Sequence, residues 1–196
     1  MRSRITVPPS PEAYEPDRPV PYTAVARSYG APGVPIVEVQ MSTWPSSTGR
    51  GRVMTTGIPR AELDQVAGVI FGMSFTGCDR LLSARLVNVE KYHRRHGLAL
   101  AVALSAVLAR QSVPSEFLFL GELDLERRVR DLSVRVLENL VRSLCDRELE
   151  TPITIVAPPS SADLLEGTAG VEVIGAPTWQ HVVVAVWPHL RKERGR

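Results

Sequence analysis

Hydrophobic and polar residues alternate along this chain with two different periods. Between residues 36 and 42, Val37, Val39 and Met41 alternate with Glu38, Gln40 and Ser42. A period of two sends one set of side chains into a core and the other into water, so this segment reads as a half-buried strand. Residues 22–29 read as a strand preceding it, with a turn at Gly30, Ala31, Pro32 and Gly33 between them. Residues 52–56 read as a third strand. Gly57-Ile58-Pro59 then opens a helix, because proline is tolerated in a first helical turn. Leu63, Val66, Ala67, Ile70 and Met73 follow at helical spacing. Residues 81–89 are strand-like again.

Residues 98–109 are apolar on nearly every side, which predicts a buried central helix. Ser105, within it, reads as a core hydroxyl bonded to the preceding turn. The run is far shorter than the ~20 residues a membrane span requires. Residues 117–120 predict a buried strand, and a second short strand begins near Arg128 and Val129. Residues 132–147 predict an amphipathic helix: Leu137, Leu140, Val141 and Leu144 make a stripe opposed by Arg135, Glu138, Asn139 and Arg142. Strands at 153–156 and 171–174 flank a short capped helix at 160–166. Residues 182–186 are open to two readings. Their β-branching favours a strand, whereas Thr178 would cap a helix starting at Trp179.

Composition adds boundaries. Pro8, Pro9, Pro11, Pro16, Pro19 and Pro21 crowd the amino-terminal end, and proline removes backbone donors and disfavours helix. The expected organisation is a proline-rich flexible arm (1–20), one domain (21–190) and a basic tail (191–196). With 196 residues, 44% hydrophobic and 22% charged, the chain has the make-up of a soluble globular protein. The net charge of +2 gives little general attraction to nucleic acid. Cys78 and Cys145 form neither a CxxC nor a metal-binding spacing, and read as free thiols in a reducing compartment. The first residues contain no apolar leader segment. A cytoplasmic protein with no membrane span is expected.

Candidate chemistry is sparse. Lys91 and Lys192 are the sole lysines, and no Gly-Lys pair exists to build a phosphate-cradling loop. Gly49-Arg50-Gly51-Arg52 reads as a hairpin turn. The strongest candidate is the basic stretch Lys91, Tyr92, His93, Arg94, Arg95 and His96, just before the central helix. Arg94 and Arg95 have the chemistry to contact phosphate, and Tyr92 to stack on a base. His93 and His96 lack a third metal ligand nearby. The competing reading is a solvated basic connection. No metal site and no cofactor are expected.

Four stretches carry a resemblance. Ala26-Arg27-Ser28-Tyr29 with Val37-Glu38-Val39, Thr56-Gly57-Ile58-Pro59, Leu100-Ala101-Val102-Ala103-Leu104 and Phe119-Leu120-Gly121-Glu122-Leu123 resemble the Lon-type domain at the amino terminus of the ComM family. These are bacterial magnesium-chelatase-like ATPases; the carboxy-terminal domain of RadA/Sms is related. The resemblance spans residues 22–190. It implies an α+β fold, a Lon proteolytic-domain-like mixed sheet with helices packed on it, shared with GHMP kinases and a domain of a small-subunit ribosomal protein. It also selects the helix for the segment after Thr178.

The departures bear on function. Lon-type peptidases place a serine nucleophile in the loop before the central helix and a lysine base on the helix that here spans 132–147. This chain has His93-Arg94-Arg95-His96 in the first place, and Ser133, Arg135 and Asn139 but no lysine in the second. Arginine stays protonated and cannot replace the lysine. ComM and RadA usually carry an aspartate where Ala99 stands, and a Ser-Gly turn where Glu126-Arg127 stands. No catalytic residue is therefore expected. The expected function is a non-catalytic, stand-alone assembly or interaction module, associating with itself or with a DNA-processing AAA+ ATPase. The alternatives are a diverged hydrolase lacking the Ser-Lys dyad and a weak, sequence-nonspecific nucleic-acid binder.

Overall fold

The computed structural model describes residues 21–31, 34–45, 51–72, 80–88, 92–145 and 152–188. The expected arm, the tail, Lys91 and Cys78 lie outside the described residues. Among the described residues, nine strands and five α-helices follow in chain order: β1 (Tyr22–Ala31), β2 (Val34–Pro45), β3 (Arg52–Thr56), α1 (Arg60–Phe71), β4 (Arg80–Val87), α2 (Gly97–Ala109), β5 (Phe117–Phe119), β6 (Glu122–Leu123), β7 (Val129–Arg130), α3 (Val134–Cys145), β8 (Ile153–Ala157), α4 (Pro159–Leu165), β9 (Val171–Gly175) and α5 (Trp179–Val186). A short 3₁₀ turn, Arg94–His96, leads into α2. No helix among the described residues is long and apolar enough to cross a membrane.

Seven strands form one mixed sheet in the order β3-β4-β2-β1-β5-β8-β9; β6 and β7 form a separate two-stranded ribbon. β1 and β2 pair antiparallel in unbroken register from Tyr22↔Thr43 to Ala31↔Val34, and β2 pairs antiparallel with β4. The pairings β3–β4, β1–β5, β5–β8 and β8–β9 are parallel. The structure thus shows the α+β class and the mixed sheet. Gly49 and Arg50 of the expected hairpin turn lie outside the described residues; β3 pairs with β4 and not with β2.

The alternation of β2 works as its pattern predicts. Val37, Val39 and Met41 are fully buried under α1, α2 and α5. On the other side, Arg27 pairs with Glu38 at 3.3 Å and Arg85 donates to Gln40 at 2.8 Å. α2 runs through the main core, with Leu98 to Leu104 wholly inaccessible. α3 and α4 cover the opposite face of β5, β8 and β9, packing Leu137, Leu140, Leu144 and Leu165 on Leu118, Leu120, Ile155 and the end of β1 at Tyr29. One sheet face therefore carries three helices and the other two.

Two expected caps are corrected. Pro158 occupies the N-cap of α4 and Pro159 its first turn, with no side-chain cap bond. The hydroxyls of Ser160 and Ser161 donate instead to Asp131 Oδ1. Thr178 does sit at the N-cap of α5, but its hydroxyl pairs with His181 Nδ1 at 2.8 Å rather than capping the backbone.

Candidate functional site

The stretch before α2 is a plug, not a loop hanging in water. Tyr92 N donates to Gly57 O at 3.1 Å, and its ring is buried in the core beside α1. Burial, reinforced by Glu62 and Glu122, pushes its phenol pKa up and keeps it neutral. A ring so placed cannot stack on a base, which corrects the role expected of Tyr92.

His96 has no accessible surface. His93 N donates to His96 Nδ1 at 3.2 Å, and His96 N donates back to His93 O at 2.9 Å. An imidazole that accepts at Nδ1 carries its proton on Nε2 when neutral. That Nε2 is buried without a hydrogen-bond partner; the Tyr29 carbonyl lies close enough to raise the basicity a little, without hydrogen-bond geometry. Burial first, then the charges of Arg95 and His93, push the His96 pKa down to about 4. Its ring meets Tyr92 and His93 edge-on, at 5.6 and 5.8 Å between centroids. His96 is thus used inside the fold, so the two histidines do not present a shared pair of open nitrogens to a metal.

Arg95 is half-buried. Its guanidinium lies 5.8 Å from the centre of the Tyr29 ring, a cation–π contact. Burial lowers its pKa, opposed by Tyr29. Ser28 Oγ donates to Arg95 O at 3.4 Å. Of the described residues of the expected interaction loop, His93 and Arg94 are exposed. The turn delivers the chain to Gly97, and Leu98 N donates to Gly121 O at 3.0 Å. Gly121 has φ 123°, and a Cβ there would fall 2.8 Å from Val129 Cγ1, so only glycine fits between α2 and the β6–β7 ribbon.

Ser133, just before α3, and Arg135 on it are exposed, and Asn139 is half-buried; Asn139 O accepts from Ser143 Oγ at 2.8 Å. Among the described residues, neither place singled out by the resemblance offers a nucleophile beside a base. α3 instead makes a shallow groove of about 410 Å³ with α4, lined by Val134, Leu137, Val141 and Leu164 with Glu138 and Arg142. Val134 is 57% and Leu164 56% exposed.

A larger groove, about 690 Å³, opens at the far end of α2, between α1, α5 and the β6–β7 turn. Ser105 lines it. Its hydroxyl is buried and has no partner, which corrects the expected bond to the preceding turn. The turn beside it is rigidly built: Asp124 Oδ1 accepts from Glu126 N and Arg128 N, both at 2.9 Å. Although burial works against it, these N–H groups and the Arg130 guanidinium hold the Asp124 carboxyl below the ordinary range. Neither groove was foreseen from sequence, although one signal was visible: Ser105 is the lone hydroxyl in an otherwise apolar helix.

Compared with known proteins, the chain matches no family model and no curated sequence.

Proposed function

We propose that this chain is a non-catalytic Lon/ComM-like domain that works by association, with a second copy of itself as partner and the α3–α4 face as the surface. The observation that carries this reading is the character of α3. The helix that would bear a lysine base in a Lon-type peptidase bears none and turns Val134 outward beside Leu164 of α4. Contiguous exposed apolar side chains with a polar rim are a feature of contact surfaces. Two further features support the reading. The elements follow one another in the order the resemblance implies, from opening hairpin to central helix to the Gly121-Glu122 ribbon and α3. The stretch in place of the nucleophile loop spends its two most buried side chains, Tyr92 and His96, on internal packing. The low net charge of +2 also leaves little self-repulsion.

Nucleic acid is a weaker fit, since only Arg94 of the two arginines presents an exposed side chain and Tyr92 is interior.

Sedimentation velocity across a hundredfold concentration range tests the proposal. The expected result is a mean mass that rises with concentration, and loses that rise in the double variant Val134→Asp with Leu164→Asp. A strict monomer at every concentration overturns it.

A further inference from the structure

We infer that the groove at the C-terminal end of α2 is a binding site for a small amphipathic carboxylate. The inference is independent of the association proposed above, which concerns helices packed on the other face of the sheet. Its volume, about 690 Å³, falls in the range of pockets that hold small organic ligands. Ile70, Trp179, Val183 and Trp187 give it apolar walls. The floor carries Ser105, which is 8% exposed and whose Oγ has no hydrogen-bond partner. A buried hydroxyl without a partner is costly, and natural structures retain such groups where a ligand or water completes them.

The rim supplies the charge. Arg127 Nε donates to Val69 O at 2.8 Å, which fixes the side chain against the end of α1. That bond leaves the Nη edge of the guanidinium, the edge suited to a carboxylate. Arg127 O accepts from Trp179 N at 2.8 Å, so the same residue ties the turn to α5. The neighbouring acid, Glu126, is held by Arg128 at 2.7 Å, which offsets its charge. The ligand therefore has an aliphatic or aromatic body against the indoles, a negative end on Arg127, and a shape that reaches Ser105.

The test follows the indole N–H resonances during titration with octanoate, with octanol as the uncharged control. Of the three tryptophans, Trp179 and Trp187 line the groove and Trp44 lies on β2. The expected result is saturable movement of the Trp179 and Trp187 signals with Trp44 unmoved, and binding of octanol about tenfold weaker, as the loss of one charge-assisted contact implies. Arg127→Gln should bring octanoate to the affinity of octanol. Ser105→Ala should weaken octanoate several-fold while raising the melting temperature, a pair of effects that a merely structural hydroxyl would not give. Ser105→Leu should abolish binding by filling the floor. No saturable shift with octanoate overturns the inference. So does equal binding of octanol, which would make the groove an apolar dock for a protein segment.

Discussion

A wholly buried imidazole gives up its proton readily, and His96 makes stability depend on pH. Its pKa in the fold is about 4, against 6.5 for the free side chain. The unfolded chain therefore binds this proton more tightly than the native one. Stability is fully present above about pH 6.5 and falls as pH drops from there towards about 4, by ~3 kcal/mol in all. Thermal melts across that window check it. His96→Asn, whose amide oxygen can still accept from His93 N, should flatten the slope. Ser105→Ala should stabilise the fold by about 1 kcal/mol, because it removes a hydroxyl that is desolvated and unpaired. A serine-reactive fluorophosphonate should label no serine: Ser133 is exposed beside Arg135, and Ser105 faces a groove whose lining carries no histidine or lysine. The letters of residues 91–96 reveal basic side chains and a break between elements. They do not reveal that His96 turns inward, because burial of a polar side chain depends on the strands and helices that come to surround it.

Elements were the most legible level. The period-two run of β2 and the stripe on α3 each define one face, and the structure buries those faces. Local periodicity encodes which side of an element is apolar. It does not encode which element lies alongside. The strand at 52–56 is legible, but its parallel pairing with β4, after the intervening helix α1, is not. Cap chemistry was half legible: Thr178 marks the start of α5, but its hydroxyl prefers His181. Two outcomes test the element-level account. Leu140→Ala, at a fully buried site on α3, should cost about 3 kcal/mol in denaturant unfolding, whereas Arg135→Ala on the exposed face should change stability by less than about 0.5 kcal/mol. Gly121→Ala should cost about 3 kcal/mol or more, since its φ of 123° strains any side chain and the added Cβ meets Val129 and the Arg130 carbonyl.

At the scale of the whole molecule, the two sheet faces are treated differently. α1, α2 and α5 close one face over the main core. α3 and α4 close part of the other, where the remaining strand surface carries Glu38, Gln40 and Arg85 and is compatible with water. Exposed apolar side chains on that side are Met54 on β3 and Val134 and Leu164 on the helices. A contact made there would leave the central helix and its two ends undisturbed, so association and ligand binding at the far groove need not compete. The most direct test is amide hydrogen exchange at low and high protein concentration, read peptide by peptide. The account predicts protection that grows with concentration in residues 134–145 and 159–165 and stays constant in residues 97–109. Exchange in α3 and α4 that is the same at both concentrations would contradict it.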